Sequence, residues 1–237
     1  MNQPASPSPR PATPAPAVAR AAGPQPQAGG SLADLPVTAQ ILVALKSKDP
    51  TALTAFEAIS HLLGFEGRLL EIRRRFLHEL VLGPGPMATA ELAASLARYL
   101  DGTFVLWNPN KQRAWVRTES PGEESWEFAG GRRRAGEFGQ PALGDPAYDH
   151  VLLWSRGQGN VPEDMAAALA PAQILAYGRG ELYSLLWRPG SSPEERREWT
   201  ASVALARSRR EGLLVNPHYQ DHRLFWGAIP LPLWGGF

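Results

Sequence analysis

The stretch ELYSLLWRPGSSPEERREWTASVALARSRRE, residues 181–211, constrains the fold of this chain more than any other segment. It begins with alternating apolar residues, which are typical of a β-strand, and then passes through a Pro-Gly turn. Ser192 follows, with Pro193 and two glutamates behind it. This order favours a helix start, because serine caps free N–H groups and acids oppose the helix dipole. The stretch therefore predicts a strand, a turn and an amphipathic helix, and none of its residues is an obvious catalyst.

The composition excludes several classes of protein. The chain has 237 residues, 43% of them apolar, which is enough for one domain with appendages or two small domains. The net charge of +1 creates no global field for nucleic acid or membrane. Cysteine is absent, so disulfides, cysteine-ligated zinc and thiol catalysis are excluded. No apolar run approaches the roughly 18 residues of a membrane helix, and the N-terminus lacks a signal-peptide core. We therefore expect a cytoplasmic protein.

The apolar pattern divides the chain into four regions. Residues 1–30 are rich in proline and alanine and predict a disordered tail. Residues 31–83 predict a helical unit of three helices, because apolar residues recur there at spacings of three and four. Residues 87–212 predict a mixed region of strands and helices, and the GPGP at 83–86 separates it from the helical unit. Residues 213–237 form an apolar C-terminal extension, which we expect to pack against another surface such as a second subunit. The fold class is therefore α+β.

Within residues 87–212 the predicted order is a helix, a hairpin, a loop, a strand, a short helix, a second hairpin and a helix. The first hairpin turns at the NPNK of 108–111, and the second turns at the glycines of 178–180. Residues 119–149 are dominated by loop signals, with one short strand expected at SWEFA.

This order resembles a GAF domain, a small ligand-sensing module, over roughly residues 88–211. GELYSLLWRPGSSPEERREWTASVALARSRRE is similar to the last strand and helix of that family, and ELAASLARYLDGTFVLWNPNKQRAWVRTE to its first helix and hairpin. The segment QGNVPEDMAAALA resembles the part before the family's central strand. The resemblance implies an antiparallel sheet with helices on one side, a ligand pocket on the other face, and terminal helices that build a dimer. It carries over no binding residue, and the missing cysteines argue against a covalently held bilin and against the family's methionine-sulfoxide-reducing branch.

From these patterns we predict a non-enzymatic regulatory protein, a homodimer that binds a small ligand or a protein partner and transmits binding through its flanking helices. No cofactor is expected. Aromatic side chains on or near the predicted strands are the candidate ligand-binding residues, because such rings line small-molecule pockets. They are Trp107, Trp115, Trp154, Tyr177 and Trp187.

The alternative is a nucleic-acid-binding protein. Residues 66–82 predict a basic helix after a glycine turn, the shape of a helix-turn-helix recognition helix. The loop GRRRAG supplies a second cluster that suits phosphate. The candidate residues are Arg68, Arg73, Arg74, Arg75, Arg132, Arg133 and Arg134. A solvated basic helix face and a solvated loop are the competing interpretations.

The sequence predicts neither a metal site nor a known catalytic motif. His218 and His222 stand four residues apart, but they follow a predicted strand and lack a third ligand, so no metal site is predicted. The chain also lacks G-x-S-x-G, H-E-x-x-H, P-loop and G-x-G-x-x-G motifs, which is why we do not predict an enzyme.

Overall fold

The computed structural model describes residues 36–83, 89–118, 126–129, 132–135, 145–155, 160–170, 172–208, 212–229 and 233. The fold is mixed α+β, as predicted. The tail predicted at 1–30 lies outside the described residues, and so do most of the loop region 119–149 and residues 230–232 and 234–237 of the C-terminal extension.

Eight strands form one antiparallel sheet. In chain order they are β1 (Val37–Leu45), β2 (Leu69–Leu82), β3 (Gln112–Thr118), β4 (Trp126–Ala129), β5 (Arg132–Ala135), β6 (Tyr148–Ser155), β7 (Ile174–Trp187) and β8 (Gln220–Trp226). Their order across the sheet is β5-β4-β3-β1-β2-β7-β6-β8. The helices are α1 (Pro50–Glu57), which continues as a π-helical turn at Ala58–Leu62, α2 (Thr89–Gly102), α3 (Glu163–Ala168) and α4 (Pro193–Ala204).

The same arrangement of elements occurs twice. β1-α1-β2-α2-β3 in the first half corresponds to β6-α3-β7-α4-β8 in the second. In each half the first strand lies between the other two, so the orders β3-β1-β2 and β7-β6-β8 are related by a pseudo-twofold axis. The two halves join where β2 pairs with β7 along nearly the full length of both 14-residue strands. Beyond the repeat, β4 and β5 extend the sheet from β3.

All four helices pack on one face of the sheet. Register places Val43, Phe76 and Glu181 side by side on this helical face. One cluster there combines α2 and α3 with β1, β2 and β3, and a second combines α1 and α4 with β2, β6 and β7. Each cluster thus uses one helix from each half, which stabilises the junction between the halves.

The opposite face carries a smaller apolar cluster of Leu42, Leu77, Leu152 and Leu182. Ile229 and Leu233 from the C-terminal segment pack on these leucines.

Polar side chains beside that cluster hold the C-terminal segment. The Leu233 N–H donates to the buried Glu79 carboxylate, at 2.8 Å from Oε2 and 3.0 Å from Oε1. Arg117 donates to the Ile229 carbonyl at 3.3 Å, and Arg223 donates to the Leu233 carbonyl. Two arginines and one glutamate from three strands therefore fix this part of the predicted C-terminal extension on its own sheet.

The predicted three-helix unit at 31–83 is wrong for its first and third helices, which are β1 and β2. Ile72, Phe76 and Leu80 are four residues apart, a spacing that puts residues on one face of a strand as well as of a helix. β2 is also buried on both faces, with His78 and Glu79 almost fully enclosed, so no polar alternation marks it as a strand. Because β1 and β2 lie in the middle of the sheet, the described part of this region, residues 36–83, is continuous with the rest of the fold.

The predicted hairpin at 178–180 is also wrong, because β7 runs straight through both glycines. A Cβ at Gly180 would stand 2.7 Å from the Leu153 carbonyl oxygen of the neighbouring strand. The glycine is needed for close approach of two backbones rather than for a turn. In the first predicted hairpin, β3 is a strand but residues 103–107 are irregular.

Other predicted elements are confirmed. α2, α3 and α4 occur where the sequence places helices, and β6 and β4 where it places strands. Ser192 forms a capping box: its hydroxyl accepts from the Glu195 N–H at 3.1 Å, and the Glu195 carboxylate accepts from the Ser192 N–H at 2.8 Å.

Candidate anion-binding groove

A groove opens where β1 separates from β2. β1 pairs with residues 76–82 of β2, whereas its last two residues, Ala44 and Leu45, pair only with β3. The β2 segment 70–75 therefore has β7 on one side and no paired strand among the described residues on the other. A groove of about 520 Å³ occupies this side. Its lining includes Ala44, Leu45, Ser47, Lys48, Asp49, Ala52, Leu53, Phe56, Arg113, Trp115 and all six residues 70–75.

The groove is strongly basic. Five basic residues line it, against the two acids Asp49 and Glu71, an excess of three positive charges. The basic residues are Lys48, Arg73, Arg74, Arg75 and Arg113. A net charge of +1 for the whole chain is therefore distributed unevenly, with a local concentration at this groove.

Both groove acids have arginine partners. Arg73 Nε lies 2.7 Å from Glu71 Oε1, and the Tyr148 hydroxyl donates to the same carboxylate at 2.9 Å. Burial opposes ionisation of Glu71, but these hydrogen bonds outweigh it and lower the pKa of the carboxyl. Arg74 contacts Glu181 at 2.8 Å and Asp49 at 3.4 Å. Asp49 also caps α1, accepting from the Thr51 N–H at 2.8 Å.

Arg75 differs from its two neighbours. Only 4% of it is exposed, and its one hydrogen bond among the described residues runs from Nη1 to the neutral Ser184 hydroxyl at 2.9 Å. Ser184 in turn contacts His150 Nδ1 at 2.9 Å. Burial and the nearby Arg73 guanidinium lower the pKa of Arg75 to about 10, so it stays charged at neutral pH. A buried cation without a carboxylate at contact distance is a costly arrangement, and it is what an anion-binding site presents.

The structure brings together only part of the predicted basic cluster. Arg73, Arg74 and Arg75 line the groove, but as consecutive residues of a strand rather than on one face of a helix. Arg68 lies outside it, with its guanidinium 5.5 Å from the Trp199 ring centroid. Arg132, Arg133 and Arg134 belong to β5 at the sheet edge, and their side chains lie outside what the structure describes.

The five predicted ligand-binding aromatic residues do not converge. Trp107 is buried in the α2 cluster and donates to the Leu100 carbonyl at 2.9 Å. Trp187 is buried under α4 and donates to the Thr200 hydroxyl at 2.9 Å. Trp115 and Trp154 lie on the opposite face of the sheet, and of the five only Trp115 lines the basic groove.

Tyr177 lines a smaller cavity of about 260 Å³ on the helical face, together with His78 and Arg179. Its hydroxyl lies 2.7 Å from His78 Nδ1. Burial, with a contribution from Arg179, lowers the pKa of His78 to about 4, so this imidazole is neutral at pH 7. The hydrogen bond between this neutral histidine and Tyr177 satisfies two polar groups at the cavity wall, so a structural role explains the pair.

Sequence reasoning missed Lys48, Asp49 and Arg113 as groove residues. Lys48 and Asp49 lie in the loop between β1 and α1, and Arg113 lies near the start of β3. They line the same groove as Arg75 because β1 departs from β2 there. The sequence gives a signal only for Asp49, because Asp-Pro is typical of the start of a helix. No group of three His, Asp or Glu able to hold a metal occurs among the described residues, and this includes His218 and His222.

The chain is thus an α+β protein with a basic groove in the sheet, at the point where β1 separates from β2. The chain matches no protein-family model, no curated protein and no solved structure. Within the described part of the chain, no helix is long and apolar enough to cross a membrane.

Proposed function

We propose that the chain is a binding protein that recognises an anionic group in the groove beside residues 70–75 of β2. The observation that carries this proposal is Arg75, a buried guanidinium whose one hydrogen bond within the described structure goes to a neutral serine. Arginine offers five N–H donors in a planar fork, a geometry that suits carboxylate and phosphate. An anion at Arg75 compensates the buried charge and uses donors that Ser184 leaves open.

The groove supports binding rather than catalysis. Its two acids are held in ion pairs with Arg73 and Arg74, an arrangement that positions the arginines around the recess. The regulatory role implied by the GAF resemblance stays part of the proposal, as does a homodimer that transmits binding through its helices. The proposed ligand site is the groove, which includes only Trp115 of the five aromatic residues.

The test is thermal unfolding of the full chain in citrate or inorganic phosphate, at ionic strength held constant with sodium chloride. A ligand that binds only the folded state stabilises it by RT ln(1 + [L]/Kd), so the melting temperature is expected to rise with anion concentration. Arg75→Met is expected to abolish this rise. Arg98→Met is the matched control, because Arg98 is an exposed arginine on α2 that contacts Ser95.

An equal rise in wild type and Arg75→Met would contradict the assignment of the site. A wild-type chain that no polyanion stabilises beyond sodium chloride would contradict the proposed function itself.

A further inference from the structure

One edge of β2, at residues 70–75, has no paired strand within the described part of the chain, and this edge indicates what kind of ligand the groove takes. In a strand, successive side chains point to opposite faces of the sheet. All six residues 70–75 nevertheless line the groove. A cavity that touches residues from both faces lies beside the strand rather than above it, so the groove follows the backbone edge of β2.

That edge leaves backbone groups open. The hydrogen bonds of residues 70–75 within the described structure run to β7, and β1 takes up the outer edge only from Phe76 onwards. The other N–H and C=O groups of these six residues face the groove. Six residues of strand span about 20 Å, enough for a short extended segment. The open position lies directly in line with β1, as a continuation of that strand.

The two sides of the groove differ in chemistry. On the side opposite the helices lie Arg73 and Arg75, with Arg113 and Trp115 from β3. On the helical side lie the apolar residues Ala52, Leu53, Phe56 and Ile72, together with Arg74, whose charge is already paired with Asp49 and Glu181. A strand placed here would turn alternate side chains toward arginines and toward apolar groups.

Resting on the proposed function, we propose that the groove binds an extended peptide segment of a partner protein, in which acidic and apolar residues alternate. The peptide pairs with the edge of β2 at residues 70–75 and extends the line of β1. Its acidic side chains face Arg73 and Arg75, and its apolar side chains face Phe56 and Ile72. Main-chain hydrogen bonds supply affinity and the alternating side chains supply specificity, as in other cases of strand addition.

Protection of the sheet edge does not explain a buried arginine at position 75. Proteins do place charged residues on edge strands to prevent self-association, but such charges work by being exposed. Arg75 is buried, and β2 is a central strand of the sheet rather than an outer one.

The first measurement uses a fluorescein-labelled peptide of alternating glutamate and valine, six residues long, blocked at its C-terminus. We expect it to bind the full chain in a polarisation titration. A peptide of the same composition, with three glutamates followed by three valines, is expected to bind at least about tenfold more weakly because it cannot present alternate faces. Arg75→Met is expected to weaken the alternating peptide by about tenfold or more, the effect of losing a charged hydrogen bond. Arg98→Met again serves as the control.

The second measurement is hydrogen exchange on the wild-type chain with and without the alternating peptide. The backbone amides of residues 70–75 that face the groove are expected to exchange at least about tenfold more slowly with peptide bound, because strand pairing protects them. Citrate, which offers carboxylates but no backbone, is the matched ligand and is expected to leave these amides unprotected.

The outcomes separate the two proposals. Arg75-dependent binding of the peptide without protection of 70–75 would overturn strand pairing and leave anion binding intact. Tighter binding of a single-stranded oligonucleotide of equal charge, with a steep salt dependence, would overturn the peptide in favour of nucleic acid. Binding of neither peptide nor citrate would remove both proposals.

Discussion

Replacing Arg75 with methionine is expected to stabilise the folded chain while it abolishes anion binding. Methionine keeps an unbranched, flexible side chain similar in length to the stem of arginine but removes the charged guanidinium group. Burial and the Arg73 guanidinium hold the pKa of Arg75 near 10, well below that of a free guanidinium. One pKa unit corresponds to about 1.4 kcal/mol, so the buried charge destabilises the fold by about 3 kcal/mol at neutral pH. This cost is present at every pH below about 10, where Arg75 is charged in both the folded and the unfolded chain.

The loss of a hydrogen bond offsets part of this gain in the free energy of unfolding. The substitution removes the hydrogen bond from Arg75 to the Ser184 hydroxyl, which is worth about 1 kcal/mol. Ser184 keeps its contact with His150, so it is not left without a partner. The net expectation is a stabilisation of about 2 kcal/mol, which for a chain of this length raises the melting temperature by about 4–8 °C.

Urea unfolding at pH 7, followed by tryptophan fluorescence, measures this difference in the free energy of unfolding. Arg74→Met is the matched control, because Arg74 lies next in the sequence but has carboxylate partners at 2.8 and 3.4 Å. Burial opposes its charge, yet the hydrogen bond and attraction of Glu181 outweigh burial and raise the pKa of Arg74. Its loss is expected to destabilise the fold by about 1–3 kcal/mol, since it leaves Glu181 and Asp49 unpaired. If Arg75→Met destabilises the chain as Arg74→Met does, then Arg75 is a structural residue and the reasoning about the groove fails.

Two further predictions concern other parts of the sheet. Burial lowers the pKa of both His78 and His150 to about 4, so the unfolded chain takes up their protons near pH 6.5 and the folded chain does not. The contribution of these two histidines to the free energy of unfolding is therefore present above pH 6.5 and is lost as the solution is acidified. The expected loss between pH 7 and pH 5 is about 3–4 kcal/mol for the two together. Equal free energies of unfolding in urea at these two pH values would contradict this. Gly180→Ala places a methyl group 2.7 Å from the Leu153 carbonyl oxygen and is expected to cost about 1–3 kcal/mol, whereas Gly102→Ala meets no atom within 4 Å and should change the melting temperature little. Equal melting temperatures for the two glycine variants would show that β6 and β7 separate easily at this point.

Local signals in the sequence were enough to predict some elements. α4 has a complete capping box and β6 is a short apolar run, and both occur where predicted. β1 and β2 could not be distinguished from helices, because a strand buried on both faces loses its alternating pattern. The groove could not be predicted from the sequence either, because it depends on contacts between distant segments. Its residues come from β1, α1, β2 and β3, and they meet only because β1 leaves β2 at Val43. The arginines at 73–75 belong to the alternative prediction, a nucleic-acid-binding helix, whereas the fact that distinguishes Arg75, its burial without a carboxylate partner among the described residues, depends on tertiary packing.

The twofold repeat has a consequence for how the chain reaches its structure. Within each half the strands that pair are close in sequence: Val43 meets Phe76 and Leu153 meets Glu181, separations of 33 and 28 residues. Joining the halves requires Phe76 to meet Glu181 across 105 residues, a slower and entropically more costly closure. We expect each half to assemble first and to display one open edge of a 14-residue strand until the other half arrives. During refolding at high concentration, the complementary strand of a second molecule competes for that position, so exchange of whole halves between two chains is the characteristic misassembly of this fold.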